Sequence, residues 1–135
     1  MILVDNIVTL KKRFPECWEI VKAAEEKQSE DLQIEATRAG VFTLSLATNS
    51  GRMYLHSKYD PMTEAEKVLG KFPEIQKYKH VFFYGVGLGY HVEMFSVRYP
   101  NTAFSVYEPN ISIFNVLLAN QKLQKLKRIE SKVDK

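Results

Sequence analysis

The stretch that decides the fold is Val81-Phe82-Phe83-Tyr84-Gly85-Val86-Gly87-Leu88-Gly89-Tyr90-His91. Four apolar or aromatic residues run into three glycines at alternate positions, and a helix-compatible stretch follows. This pattern predicts a buried parallel strand that turns sharply into a helix whose first N–H groups can face an anion. A second strand is expected at Ala103-Phe104-Ser105-Val106-Tyr107, ending in Glu108. A glycine turn with an acidic strand end about twenty residues later is the skeleton of a nucleotide-binding βαβ unit. The cofactor-binding candidates are therefore Gly85, Gly87, Gly89, Tyr90 and His91 at the turn, and Glu108 for ribose hydroxyls.

Two positions depart from the familiar fingerprints. The dinucleotide motif wants its third glycine one position further on, where this chain has Tyr90. The methyltransferase form carries an acidic residue two positions before the first glycine, and here that residue is Phe83. Two readings stay open: a turn that binds a nucleotide or S-adenosylmethionine, and a turn whose glycines only permit a tight bend and close packing.

Upstream, the period of the apolar residues changes twice. Asp5 or Asn6 is expected to cap a first helix carrying Ile7, Leu10 and Phe14, with Lys11-Lys12-Arg13 as its solvated, dipole-favoured end. Pro15 opens a second helix with Trp18, Val21 and Ala24 inward, fading near Lys27-Gln28-Ser29. From Leu32 to Leu55 apolar residues alternate with polar ones, interrupted at Arg38-Ala39-Gly40 and Asn49-Ser50-Gly51. That predicts a three-stranded antiparallel meander, with the two preceding helices as the expected cover of its apolar face. Asp60-Pro61 caps and opens a third helix, with Thr63 and Glu66 as an alternative capping box. Another helix follows the glycine turn, and Pro109-Asn110 opens a final one carrying Ile113, Phe114, Leu117, Leu118, Leu123 and Leu126. The tail from Lys122 reads as a frayed helix end or a linker.

The connector between meander and third helix, His56-Ser57-Lys58-Tyr59-Asp60, is rich in groups that do chemistry, and these five are the cleft candidates. His56 and His91 leave two different elements and can converge with Asp60 and Glu108 as an acid–base pair or a weak metal site. Structural hydrogen bonding is the alternative for each. No His-x-x-x-His spacing, nucleophile elbow or paired-carboxylate context occurs, so no catalytic residue and no metal ligand is assigned. His80 is expected in a surface turn.

Bulk properties narrow the class. With 135 residues, 45% hydrophobic and 26% charged, the chain is expected to form one domain with a real core. A net charge of +3, without aromatic interleaving of the basic residues, argues against nucleic acid as partner. Cys17 is the single cysteine, so no intrachain disulfide forms; beside Trp18 it reads as a core residue. No apolar run reaches the roughly 18–20 residues that span a bilayer, and the start Met1-Ile2-Leu3-Val4-Asp5 is not a signal peptide. A cytoplasmic protein without membrane association is expected.

Tyr54-Leu55-His56-Ser57-Lys58-Tyr59-Asp60-Pro61 followed by Glu64-Ala65, then Gly85, Gly87, Leu88, Gly89, Tyr90 and His91, resembles the paired motifs of the Maf-type motility-associated glycosyltransferases. Glu108-Pro109 and the leading Phe14-Pro15 are similar as well. The resemblance covers nearly the whole chain, but only the N-terminal domain of that family's architecture. It implies a parent protein that attaches nonulosonic sugars to flagellin Ser or Thr residues. The transfer chemistry then lies in a central, sialyltransferase-related domain that these residues do not include, and the N-terminal domain brings no activity to assign residue by residue.

The expected fold is α/β with an α+β start: N-terminal helices, an antiparallel three-stranded meander, then a partial Rossmann-like βαβα unit. Residues 1–60 hold helices and meander and 61–128 the Rossmann-like half, together a single N-terminal domain, 1–135, of a longer multidomain protein. Only two parallel strands are legible where a doubly wound sheet has five or six. Either more chain follows, or the meander completes the sheet. Three functions follow. The first is a non-catalytic domain supporting or docking the catalytic part, with the rest of the parent chain and flagellin as partners and no cofactor. The second is a small-molecule enzyme of methyltransferase type, with S-adenosylmethionine or a nucleotide as cofactor. The third is a homo-oligomer paired through an exposed strand edge.

Overall fold

In the computed structural model, residues 1–25, 31–123 and 133–134 are described. Helix α1 (Val4–Arg13) places Asp5 in its first turn and Lys11, Lys12 and Arg13 in its last, both favourable to the helix dipole. Its N-cap is Leu3 with no side-chain cap, so neither Asp5 nor Asn6 fills the expected role. Asn6 points inward instead, one turn before the buried Leu10. Helix α2 (Pro15–Glu25) starts on Pro15 and buries Cys17 and Val21. The expected fading of α2 near Lys27 lies outside the described residues.

The meander forms as the alternation predicts. Strands β1 (Leu32–Ala36), β2 (Phe42–Thr48) and β3 (Gly51–Tyr54) pair antiparallel, with Ile34 opposite Leu44 and Ser45 opposite Tyr54. Thr43, Leu44 and Ser45 are all buried, so the middle of β2 is covered on both faces.

Its cover is not the one expected. Leu44 packs with Ala65, Leu88, Tyr90 and Ile113, whereas Leu10, Cys17 and Val21 share the larger core with Val92, Phe95, Phe104, Phe114, Leu117 and Leu118. The reason lies in α5 (Ile111–Asn120), which is apolar on more than one side. Its Ile113 faces the meander and its Phe114, Leu117 and Leu118 face the N-terminal helices, so α5 is wedged between the two groups.

Helix α3 (Pro61–Gly70) is capped by Asp60, whose carboxylate accepts the Thr63 N–H. A 3-10 turn (Pro73–Lys77) feeds β4 (His80–Tyr84), which runs through the glycine turn into α4 (Tyr90–Arg98) and on to β5 (Ala103–Tyr107). β4 and β5 pair in parallel, Val81 beside Phe104 and Tyr84 beside Tyr107. A two-residue strand, β6 (Val133–Asp134), pairs in parallel with β5. It lies in the tail that was expected to be helix end or linker; Leu126 and the rest of 124–132 lie outside the described residues.

The parallel sheet has the order β4-β5-β6 and is separate from the meander, so the meander does not complete it. Val81, Phe83, Phe104 and Val106 face the core built by α4 and α5. The register sets His80, Phe82, Tyr84, Ser105 and Tyr107 on the opposite face. His80 is the exposed first residue of β4, not part of a turn, and its Nε2 lies 2.8 Å from Ser105 Oγ. Among the described residues no helix is long and apolar enough to cross a membrane.

Candidate functional site

Gly85, Gly87 and Gly89 all have positive φ, at 74°, 57° and 83°, so the alternate glycines build a bend that other residues adopt only under strain. Gly85 N donates to Tyr107 O at 2.8 Å and closes the sheet ladder. The three N–H groups that follow are the ones a phosphate would meet. All three are engaged from within the chain.

Val86 N and Gly87 N donate to Glu108 Oε1 at 2.8 and 3.1 Å, and Asn110 N donates to Oε2 at 3.2 Å. Glu108 is buried at the end of β5. The residue expected to hold ribose hydroxyls thus turns back onto the glycine turn and fills the anion position with its own carboxylate. Asn110 then caps α5, accepting the N–H groups of Ser112 and Ile113. The segment Glu108-Pro109-Asn110 therefore serves both the turn and the next helix.

The remaining N–H, that of Leu88, donates to His56 Nε2 at 2.9 Å. An imidazole nitrogen that accepts carries no proton, so His56 is neutral with its proton on Nδ1. His56 is 4% exposed, and burial, followed by the neighbouring His91, lowers its pKa to about 4. Nδ1 is buried with no hydrogen-bond partner. The ring lies edge-on to Tyr90 at 4.9 Å, and the His56 carbonyl accepts from Thr43 Oγ1 at 3.0 Å. Tyr90 in turn donates its hydroxyl to the Phe42 carbonyl. Burial, with Glu93 adding to it, pushes the Tyr90 pKa up to about 12. Together these contacts fasten the glycine turn to β2.

Gly87 is indispensable to the contact, since a Cβ there would sit 2.5 Å from His56 Nε2. Gly89, the N-cap of α4, would bring a Cβ to 3.3 Å from Leu117 Cδ1, while a Cβ at Gly85 meets nothing within 4 Å.

The other cleft candidates are tied up in the connector itself. Ser57 Oγ accepts from Tyr59 N and Asp60 N, both at 3.0 Å, and Ser57 N donates to Glu64 Oε1 at 2.8 Å. Asp60 accepts from Thr63 N and Thr63 Oγ1, contacts that lower its pKa. The capping role thus goes to Asp60, and the acidic partner within α3 is Glu64. Lys58 lies 4.8 Å over the Tyr54 ring, and Tyr59 is exposed with Arg38 5.6 Å over its ring.

The structure brings His56 and His91 together, with ring centroids 6.1 Å apart, but does not arrange them as an acid–base pair. His91 is half-buried; burial lowers its pKa and the Glu64 carboxylate opposes that shift. Asp60 turns outward to its helix, and Glu108 to the glycine turn. Among the described residues no three His, Cys, Asp or Glu side chains form a group able to hold a metal ion.

One structural residue escaped the sequence reading. Asn6 is fully buried; its Nδ2 donates to Leu118 O and Gln121 O, each at 2.7 Å, and its Oδ1 accepts from Leu123 N at 2.8 Å. The signal was available: Asn6 stands four residues before Leu10, on the inward stripe of α1.

No protein-family model matches the chain, and no solved structure matches it. An uncharacterized protein of Treponema pallidum (strain Nichols) is 29% identical over 133 residues, which cover 93% of this chain and 44% of the relative. The chain thus spans less than half the length of that curated relative.

Proposed function

We propose that the chain is a non-catalytic, Rossmann-like domain that supports or docks the catalytic part of a Maf-like flagellin glycosyltransferase in the cytoplasm. One observation carries the non-catalytic half of this reading: the Val86, Gly87 and Leu88 N–H groups already have Glu108 and His56 as acceptors. A phosphate or ribose entering the turn has to displace a buried carboxylate and leave it without partners. Unpaired buried groups of this kind cost about 1–3 kcal/mol each, more when charged. The glycosyltransferase half rests on the paired His56–Pro61 and Gly85–His91 motifs, whose residues touch each other in the folded chain through His56 and Leu88.

A second reading has its own support. Glu108 stands at the end of β5 directly against the turn, the position from which an acidic residue meets a ribose in a Rossmann unit. A swing of this side chain away from Val86 and Gly87 would reopen the seat for S-adenosylmethionine or a nucleotide.

Calorimetric titration with S-adenosylmethionine, NAD and a CMP-linked sugar separates the two. The docking reading expects no saturable heat from any of them, and co-elution of the chain with a Maf-type central domain on size exclusion. Saturable binding that disappears in Glu108→Ala would instead establish the cofactor reading.

A further inference from the structure

We infer that the open edge of β4 and the uncovered face behind it are the seam for the second half of a doubly wound sheet. The occupant is a parallel, apolar strand laid beside β4 and a helix placed over Phe82 and Tyr84, supplied by a longer form of the same polypeptide. The inference deepens the docking reading by naming its surface and the element that fills it, and it does not depend on the glycosyltransferase assignment.

Among the described residues β4 has a strand neighbour on one side only, in the order β4-β5-β6. Gly85 N donates to Tyr107 O, and N–H directions alternate along a strand, so the N–H groups of Phe82 and Tyr84 point to the open side. Beside that edge runs a trough of about 290 Å³. Val68, Leu69, Phe72 and Ile75 form its outer wall and the strand from Val81 to Val86 its inner one. The walls are largely apolar, with no Asp, Glu, Lys or Arg among the residues that line it. An apolar strand fits there and a charged peptide does not.

The uncovered face gives independent support. Parallel sheets are normally covered on both faces, yet α4 and α5 both join the core on the face of Val81, Phe83, Phe104 and Val106. On the other face Phe82 is 56% and Tyr84 68% exposed, with Tyr107 stacked 5.3 Å from Tyr84. Right-handed crossovers that proceed in one direction keep their helices on one face. In a doubly wound sheet the second half begins on the free edge of the first strand, and its helices cover the opposite face. The edge and the face left open among the described residues are those two.

Pairing of two β4 edges across a two-fold axis would extend the sheet but leave Phe82 and Tyr84 uncovered in both copies. A further strand and helix cover both at once. The Treponema pallidum relative has the required length, since more than half of it lies beyond the matched part.

Hydrogen exchange on this chain and on the intact relative tests the inference. In this chain, by NMR, Phe82 and Tyr84 amides should exchange roughly 100-fold faster than Phe83, as expected of an unpaired edge. In the relative, the peptide aligned with Val81–Tyr84 should be protected throughout. Phe82→Lys combined with Tyr84→Lys should leave this chain folded with an unchanged melting temperature. Fast exchange at the aligned strand of the relative overturns the inference. So does a dimeric mass by light scattering with protected Phe82 and Tyr84 amides, which assigns the edge to a second copy. Unfolding of the double variant also overturns it, because the face would then be covered within this chain. Protection in a relative without sugar-transfer activity would remove the Maf reading and leave this seam intact.

Discussion

The imidazole Nε2 of His56 accepts the Leu88 N–H at 2.9 Å, across 32 positions of sequence. This bond joins the connector after the meander to the glycine turn of the parallel sheet. It also fixes the charge of the histidine, because a protonated Nε2 would meet the N–H as a second donor. The neutral ring, the glycine that admits it and the carboxylate of Glu108 form one arrangement around three consecutive backbone N–H groups.

Acid should therefore weaken the fold through His56. Its folded pKa of about 4 lies below the ordinary 6.5, so the unfolded chain binds the proton more readily between these values. Stability is complete above about pH 6.5 and falls as pH drops toward 4; linkage gives a loss of about 2–3 kcal/mol by pH 4.5. His91, also lowered by burial, acts in the same direction. Urea denaturation at pH 4.5, 5.5 and 7.5 should show this slope in the native chain and a clearly shallower one in His56→Gln. Equal slopes in the two proteins would mean that His56 is not buried neutral.

Gly87→Ala should be far more damaging than Gly85→Ala. Both glycines have positive φ, which costs an alanine about 1–2 kcal/mol, but only Gly87 would drive its Cβ to 2.5 Å from His56 Nε2. The ring is buried against Tyr90 and cannot retreat without giving up the Leu88 bond. We expect a loss of roughly 3–4 kcal/mol for Gly87→Ala against about 1–2 kcal/mol for Gly85→Ala, read from urea midpoints at pH 7.5.

The elements themselves were legible because they depend on local rules. Alternation between Leu32 and Leu55 gave the meander, and the apolar run ending at Gly85 gave the parallel strand. Asp60-Pro61 and Asn110 gave helix starts at the right places. What escaped was pairing between distant groups. Asp5 and Asn6 were equivalent as caps in sequence, and only the placement of α5 against α1 makes Asn6 a buried clamp. Adjacency in sequence favours α1 and α2 as the cover of the meander, whereas the cover comes in part from α5, far downstream, which has apolar residues on more than one side. At the candidate site, spacing identified His56, the glycines and Glu108 as partners of something. It could not reveal that they are partners of one another.

Asn6→Leu should be severely destabilising despite its similar size and greater hydrophobicity. The side chain satisfies Leu118 O, Gln121 O and Leu123 N where α1 meets the end of α5. Leucine leaves Gln121 O and Leu123 N without a partner in a largely dry site, at about 1–3 kcal/mol each, while Leu118 O keeps the Leu3 N–H at 3.1 Å. Some relaxation toward water at Gln121 should keep the total to roughly 3 kcal/mol. Asn6→Asp tests the geometry separately: it keeps the acceptor for Leu123 N but loses both donor bonds and adds a buried charge. It should be at least as harmful as leucine. A loss below about 1 kcal/mol for either variant, typical of a surface change, would show that Asn6 is not the clamp.

Glu108→Ala gives the most direct reading of the glycine turn. Removing the carboxylate takes the acceptor from Val86 N, Gly87 N and Asn110 N, so the variant should lose about 2–4 kcal/mol. Glu108→Gln keeps one oxygen acceptor and should lose less. The alanine variant also leaves vacant a seat formed by consecutive backbone N–H groups ahead of α4, a geometry suited to anions. Sulfate or phosphate at about ten times its dissociation constant would restore roughly 1.4 kcal/mol to that variant and leave the native chain unaffected, because its seat is filled. The measurement is the melting temperature of both proteins across a sulfate series at constant ionic strength. Equal sulfate responses would mean that the carboxylate of Glu108 does not occupy the anion position. A response confined to Glu108→Ala would show that this turn keeps the anion-binding geometry of its fold and satisfies it from within.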